Sequence, residues 1–195
     1  MNMQNRVIIV HGWDGYPENG WFPWLKRELE ARGFLVVIPQ LPFPQEPRIV
    51  RWIPALQEAV GLVDEQTFFI GHSMGCQTIV RLLSELPEGQ IAGGAVFVAG
   101  FFSRLTNLED NQITNDLLKE WLKTPIDFPL VKNHLKKSIA IFSDNDEYVP
   151  LDNQDVFKND IGSSVIIEHK FGHFSESQGI TEVQSVLESV LKLAK

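Results

Sequence analysis

The sequence predicts an α/β fold: a three-layer sandwich in which a mostly parallel six-stranded sheet carries helices on both faces. Short β-branched runs alternate along the chain with segments of helical periodicity, which is typical of βα units joined by right-handed crossovers. Several runs are apolar throughout, such as VIIV at 7–10 and LVVI at 35–38, as expected for strands buried on both faces of a parallel sheet. A length of 195 residues favours a single domain, 1–195.

Six segments have the pattern of strands, and turn-forming or helical sequence separates each from the next. In chain order they are Arg6–Val10, Phe34–Ile38, Thr67–Ile70, Ala95–Ala99, Ser138–Phe142 and Ser164–Glu168.

Six further segments have the apolar periodicity or the end signals of helices. The first precedes Gly33, a natural C-terminal stop, and the second begins at Pro54 as its first helical residue. In chain order the helices are Trp21–Ala31, Pro54 to about Val60, Gly75–Leu86, Gln112–Leu122, Leu151–Asn159 and Ile180–Leu193.

Two segments depart from this alternation. Phe101–Lys137 is longer than a simple crossover between two strands, so it is either a small lid (101–137) or a crossover helix with a long surface loop. Pro39–Pro47 contains four prolines and is predicted to be a stiff, extended loop after the second strand.

Composition excludes some classes of function. A net charge of −8 argues against a nucleic-acid partner, which requires a basic surface. The single cysteine, Cys76, allows no internal disulfide and fits a reducing compartment. Met1–Arg6 is polar, and the apolar run that follows is too short for a signal peptide or a membrane span. We therefore expect a cytoplasmic protein with no membrane span.

The pentapeptide GHSMG, at 71–75, follows the third predicted strand and precedes a helical segment. This is the pattern of a nucleophile elbow, in which a sharp turn holds the serine in a strained conformation and tolerates only small neighbours. The alternative is a serine without a chemical role in a glycine-rich connection. Ligands of open parallel sheets bind beyond the carboxyl ends of the strands. If Ser73 is a nucleophile, its partner groups should therefore lie in the loops that follow the other strands.

The loop after the first strand, HGWDG at 11–15, is a candidate part of an oxyanion hole. Such a hole needs two backbone N–H groups, one from the residue after the serine and one from a loop near the first strands. Met74 and Trp13 are the predicted donors, although a plain glycine turn also fits 11–15. The glycine spacing does not match a dinucleotide fingerprint, and no phosphate-binding lysine loop occurs, so no cofactor is predicted.

The loop after the fifth strand, SDNDEYVP at 143–150, offers two acids, Asp144 and Asp146, that could orient a histidine. The acidic run resembles a calcium loop only superficially. A helix–loop–helix calcium site requires glycine at its sixth position, where Val149 stands, so no metal is predicted.

The loop after the sixth strand, FGHF at 171–174, contains one of five histidines in the chain. Its position after the last strand and beside a glycine makes His173 the best candidate base. The resulting order along the chain, serine then acid then histidine, is that of α/β-hydrolases.

Four motifs together resemble the small α/β-hydrolases of the retinoblastoma-binding-protein type, which include compact bacterial serine hydrolases with little or no cap. The motifs are HGWDGYPENGWFPWL at 11–25, GHSMG at 71–75, DEYVP at 146–150 and GHF at 172–174. The resemblance implies a catalytic triad of Ser73, Asp146 and His173, and its acid-loop pattern selects Asp146 over Asp144.

The expected function is hydrolysis of a small carboxylic ester or related acyl substrate through an acyl-enzyme, without cofactor or metal. A thioester or an amide is a possible substrate within this class. The alternative is a protein-interaction module on a hydrolase fold with weak or vestigial activity, since some proteins of this type are named for a protein partner. The predicted partners are thus a small acyl substrate and, in the alternative, another protein.

Overall fold

The computed structural model describes residues 4–195, which contain six strands in one sheet. The strands are β1 Arg6–Val10, β2 Leu35–Val37, β3 Thr67–His72, β4 Gly94–Val98, β5 Ser138–Ser143 and β6 Ser164–Glu168. Their order in the sheet is β2-β1-β3-β4-β5-β6, and every neighbouring pair is parallel. The predicted six-stranded sheet is confirmed. Residues 1–3, part of the polar N-terminal stretch interpreted above, lie outside the described residues.

Helices cover both faces of this sheet. They are α1 Phe22–Glu30, α2 Ile49–Val60, α3 Met74–Ser84, α4 Gln112–Lys123, α5 Phe128–Asn133, α6 Gln154–Val156 and α7 Gln184–Leu193. Around α6, a 3-10 turn at Leu151–Asn153 and a π turn at Phe157–Ile161 complete a short helical segment, and a separate 3-10 turn spans Glu176–Gln178.

The sheet separates two hydrophobic clusters. Alternate residues of β1 point to opposite faces, so Ile8 and Val10 belong to one cluster and Val7 and Ile9 to the other. The first cluster includes side chains of α2, α3 and α4, and the second is formed largely with α1 and α7. This division gives the three layers that the sequence predicts.

The prediction that the second helix starts at Pro54 is wrong, because α2 begins at Ile49 and contains Pro54 in its interior. An interior proline leaves the carbonyl four residues earlier without its helical partner. That residue is Val50, which is 76% exposed, so the proline stands near a solvent-exposed part of the helix, where a carbonyl without a helical partner costs little.

Two other helices differ from the sequence prediction. The last helix begins at Gln184 rather than Ile180, because the buried residue Val183 is extended, with φ −135° and ψ 90°. The helix α5 was not predicted. Its signals are Asp127, whose side chain accepts the N–H of Leu130, and a proline in its first turn.

The helical part of segment 101–137 is fixed against α2 and α3. Arg81 of α3 is buried and donates to the carbonyls of Trp121 at 2.8 Å and Thr124 at 3.0 Å. The indole N–H of Trp121 donates to the Pro47 carbonyl at 2.9 Å, which ties α4 to the proline-rich loop. These contacts anchor the C-terminal end of α4 to the rest of the structure.

None of the helices in residues 4–195 has the length and apolar character needed to cross a membrane.

Candidate active site

Ser73 lies at the junction of β3 and α3 in a strained backbone conformation. Its φ is +53° and its ψ is −121°, a region that residues with a side chain rarely adopt. The N–H of Ser73 donates to the carbonyl of Val98 at 2.8 Å, at the end of the neighbouring strand β4. The turn therefore has the strain of a nucleophile elbow and is held by the sheet.

Two glycines make this turn possible. A Cβ on Gly71 would lie 2.8 Å from the backbone of Cys76 in α3, and a Cβ on Gly75 would lie 2.2 Å from the carbonyl oxygen of Val10 in β1. Both distances are far below van der Waals contact. The elbow thus requires the first turn of α3 to pack directly on the strands, which only glycine permits.

Ser73, His173 and Asp146 form a continuous chain of hydrogen bonds. The Oγ of Ser73 lies 3.0 Å from Nε2 of His173, and Nδ1 of His173 lies 2.8 Å from Oδ2 of Asp146. Because a carboxylate only accepts, Nδ1 of His173 carries the proton and Nε2 accepts from the serine hydroxyl. The side chain of Asp146 is 2% exposed and that of His173 is 13% exposed.

The two candidate acids have different histidine partners: Asp146 bonds to His173 and Asp144 to His169. The second carboxylate oxygen of Asp146 accepts the N–H groups of Tyr148 and Val149 at 2.9 and 3.0 Å, which fixes its orientation toward His173. Asp144 instead accepts from Nδ1 of the exposed His169 at 2.6 Å. The backbone N–H of Lys170 and the His169 side chain lower the pKa of the Asp144 carboxyl.

Several residues that the sequence did not indicate hold the loop around His173. The side chains of three of them bond to its backbone: Asn145 accepts from Gly172 N–H, Gln178 accepts from His173 N–H, and Trp21 donates to the Phe174 carbonyl. Trp21 and Asn145 lie in motifs read from the sequence, at 11–25 and 143–150, but neither was assigned this role, and Gln178 lies in no motif. Tyr148 adds an edge-to-face contact with the His173 ring, with centroids 5.4 Å apart.

His72, the variable residue of the pentapeptide, contacts the same loop. Its Nε2 lies 2.8 Å from the carbonyl oxygen of His173, so Nε2 carries a proton and donates. Burial and the nearby His173 lower the pKa of His72 to about 3. The imidazole is therefore neutral at physiological pH.

The two predicted oxyanion donors flank Ser73. Trp13 and Met74 line the same pocket as Ser73, and their backbone N–H groups meet no acceptor within residues 4–195. A Cβ on Gly12 would lie 3.0 Å from Cβ of Ser73, so the loop after β1 passes directly beside the serine.

A second histidine, the buried His11, orients that loop. Its Nδ1 lies 2.8 Å from the Gly12 carbonyl, and its Nε2 accepts the N–H of Leu41 at 3.0 Å. Since the C=O and N–H of a trans peptide point in opposite directions, fixing the Gly12 carbonyl also fixes the N–H of Trp13. Burial lowers the pKa of His11, which keeps the ring neutral and able to accept from Leu41.

Ser73 and His173 open onto a pocket of about 590 Å³. Its apolar wall consists of Trp13, Met74, Phe101, Leu105, Leu108 and Ile113. Two carboxylates, those of Asp14 and Glu109, also line it, whereas no lysine or arginine among residues 4–195 does. Residues 105–114 thus form one wall of the pocket, although the sequence left their role open.

Within the described part of the chain, no group of three or more His, Cys, Asp or Glu side chains is placed to hold a metal ion.

Comparison with known proteins identifies relatives over almost the whole length. A family profile described as "Serine hydrolase" matches residues 7–192. YdeN of Bacillus subtilis (strain 168) is 30% identical over 184 residues, which are 94% of this chain and 93% of YdeN. The crystal structure of the B. subtilis ydeN gene product superposes with a TM-score of 0.88 at 29% identity, covering 97% of this chain and 98% of the other.

More distant structures share the fold. Est1E from Butyrivibrio proteoclasticus has a TM-score of 0.72 at 14% identity, with 97% of this chain and 88% of Est1E covered. The esterase domain of a Rhodothermus marinus protein has a TM-score of 0.65 at 14% identity, with 97% and 86% covered. At this identity the likeness concerns the fold alone, and it agrees with the α/β architecture described above.

The elbow gives a prediction about stability. Gly75→Ala should lower the free energy of unfolding by at least about 3 kcal/mol, because the methyl group forces α3 away from the Val10 carbonyl. Gly89→Ala is the matched control: its Cβ meets nothing within 4 Å, and its φ of +87° alone should cost about 1 kcal/mol. Urea unfolding of both variants measures the difference, and equal costs would contradict the close packing.

The low pKa of His72 predicts a pH dependence. As pH falls from 6.5 toward about 3, the unfolded chain binds a proton at His72 that the folded chain does not, so stability falls. His72 lowers the free energy of unfolding by up to about 1.4 kcal/mol for each pH unit in this range. His72→Gln cannot titrate, so its unfolding free energy should fall less than that of the wild type between about pH 6.5 and about pH 5. Parallel curves would mean that His72 protonates freely in the folded state.

Proposed function

The chain belongs to the serine hydrolase family, and we propose that it cleaves a small carboxylic ester or related acyl substrate through an acyl-enzyme on Ser73. The observation that carries this proposal is the hydrogen-bonded chain from Asp146 through His173 to Ser73, which ends at the wall of a pocket. The serine is accessible to a ligand while the acid behind it is buried, which is the order that acyl transfer requires.

In the first step, His173 Nε2 takes the hydroxyl proton of Ser73 as Oγ attacks the acyl carbon. A C–O bond forms, and the carbonyl π electrons move to its oxygen. The free N–H groups of Trp13 and Met74 are the proposed donors to this oxyanion, and each such donor contributes about 3 kcal/mol. Asp146 keeps the proton of the resting histidine on Nδ1 and stabilises the imidazolium that forms.

In the second step, the tetrahedral intermediate collapses and the bond to the leaving group breaks. The leaving oxygen takes the proton from His173 Nε2, and the acyl group remains on Ser73. Water then attacks the acyl carbon as His173 Nε2 accepts one of its protons. The bond between the acyl carbon and Oγ breaks, and His173 returns the proton to Oγ, which releases the carboxylic acid and restores Ser73.

The charge of the pocket favours uncharged acyl substrates. Asp14 and Glu109 have no basic counterpart in its lining, so a substrate with its own carboxylate or phosphate near the scissile bond meets two like charges. This argues against the thioesters of phosphorylated carriers and for neutral esters of short or medium length.

Segment 101–137 bears on how the domain is organised. We propose that residues 1–195 form one α/β-hydrolase domain in which segment 101–137 serves as a fixed crossover and pocket wall. The anchoring of α4 by Arg81 and Trp121 supports this role over that of a mobile lid.

We also propose that the chain is a hydrolase of the retinoblastoma-binding-protein type, because it contains the four motifs at 11–25, 71–75, 146–150 and 172–174. The hydrogen-bonded chain from Asp146 to a serine that faces a pocket supports hydrolysis over the alternative of a protein-interaction module.

The proposal predicts covalent labelling of one serine. The wild type should react with a fluorophosphonate probe and hydrolyse p-nitrophenyl butyrate, whereas Ser73→Ala should lose labelling and at least about 1000-fold in kcat. Ser84→Ala, which removes a hydroxyl bonded only to a helix carbonyl, is the control and should retain both activities. A wild type inert to probe and ester, or Ser73→Ala as active as wild type, would refute the proposed hydrolysis.

The two carboxylates of the pocket should discriminate between a neutral and an anionic ester of similar size. The wild type should show a kcat/KM roughly tenfold higher for p-nitrophenyl butyrate than for the anionic p-nitrophenyl hemisuccinate. In a variant carrying Asp14→Asn and Glu109→Gln, this ratio should shrink at least about threefold, and less so at high salt. Asp155→Asn changes an exposed carboxylate outside the pocket lining and should leave the ratio unchanged. An unaltered ratio in the double variant would show that these carboxylates do not select substrates.

A further inference from the structure

Two hydrogen bonds join the elbow to His173, and the rings of His72 and His173 also lie in contact, with centroids 5.0 Å apart. The Oγ of Ser73 lies 3.0 Å from its Nε2, and the Nε2 of His72 lies 2.8 Å from its carbonyl oxygen. Ser73 and His72 are adjacent in the chain, so the end of β3 touches both the side chain and the backbone of the proposed base. His72 does not line the pocket and therefore has no contact with a substrate bound there.

The loop that carries His173 depends on such side-chain contacts. Residues 169–174 form no strand or helix, and Lys170, Gly172 and Phe174 all have positive φ values, of +62°, +54° and +54°. Within residues 4–195, the His72 imidazole is the only group that donates to the His173 carbonyl. Removing that donor would leave the carbonyl unpaired and the residue held by one fewer contact.

The His72 ring is itself held in one orientation. Trp21 and Phe22, at the start of α1, pack edge-on against it with centroids 6.1 and 6.3 Å away. The indole N–H of Trp21 donates to the next carbonyl along the loop, that of Phe174, at 3.0 Å. Two consecutive carbonyls of the histidine loop are thus fixed by rigid aromatic donors, one from β3 and one from the start of α1.

We propose that His72 is a positioning residue that holds His173 at reaction distance from Ser73 through its Nε2–H to carbonyl hydrogen bond. The inference rests on the proposed hydrolysis and adds a role for the variable residue of the elbow. Because the same short segment carries the nucleophile and holds the base, movement of the elbow carries both groups together and preserves their separation.

Two pairs of substitutions test this role. His72→Phe keeps a flat ring for the Trp21 and Phe22 contacts but has no donor, whereas His72→Gln places an amide N–H near the position of Nε2. His72→Phe should lower kcat for p-nitrophenyl butyrate about 10- to 100-fold with KM within about twofold, since a small misplacement of a catalytic group has an effect of this size. His72→Gln should restore kcat to within about threefold of the wild type.

A second pair of variants, His72→Asn and His72→Gln, keeps the test possible if His72→Phe does not fold. His72→Asn carries the same amide as His72→Gln on a side chain one methylene shorter, which cannot reach the carbonyl. If His72→Phe is not folded by circular dichroism, the comparison of Asn with Gln gives the same test. We expect the kcat of His72→Asn to fall about tenfold below that of His72→Gln.

A double-mutant cycle separates positioning from a general structural effect. In a His173→Ala background there is no imidazole to position, so His72→Phe should change the remaining kcat less than about twofold. The inference is overturned if His72→Phe costs the same factor with and without His173, if the loss is entirely in KM, or if Gln fails to restore kcat. A wild type that does not react at all would instead refute the proposed hydrolysis and, with it, the inference that rests on it.

Discussion

The close approach of the first turn of α3 to the end of β1 is the constraint on which the rest of the site depends. The Val10 carbonyl and the backbone at Gly75 are so near that a single methyl group would not fit between them. This contact fixes where α3 begins, and the start of α3 sets the strained φ of Ser73 and the direction of the Met74 N–H. It also places the loop after β1 beside the serine, so Ser73 and both proposed oxyanion donors are positioned by one packing contact.

Two histidines, the buried His11 and the half-buried His72, extend this arrangement by acting as neutral hydrogen-bonding groups. His11 fixes the Gly12 carbonyl, and through it the Trp13 N–H, while His72 fixes the carbonyl of His173. Burial lowers the pKa of both rings, so neither carries a charge in the pH range where His173 would act as a base. The three histidines nearest the serine therefore differ in role because they differ in surroundings: two orient backbone, and the third faces Ser73 on one side and Asp146 on the other.

The sequence predicted the parts of the fold and site that follow from a local rule. Ser73, His173 and the loop with Asp144 and Asp146 each follow a strand, and a parallel sheet brings strand ends to one edge, so their meeting could be predicted without coordinates. That rule left the two acids open, and only the resemblance of the acid loop selected Asp146. His72 could not be assigned, because the elbow motif leaves its position variable and its partner lies 101 residues away. Trp21 was missed for the same reason, since Phe174, whose carbonyl it bonds to, lies 153 residues away. Gln178 lies only five residues from His173, but no motif marks its side chain as an acceptor for that backbone N–H. The start of α2 was placed too late because proline suggests a first turn, whereas exposure of Val50 allows it in the interior.

The central claim is that Ser73 becomes acylated because His173 removes its proton. The most direct measurement is the site and amount of acyl adduct, determined by intact mass and peptide mapping after rapid acid quench of the enzyme with an activated ester. The account predicts a single acyl group on the peptide that contains Ser73 in the wild type, forming within the first turnover. In His173→Ala, formation of that adduct should be slowed at least about 1000-fold. An adduct on any other residue, or equal acylation of Ser73 with and without His173, would contradict it.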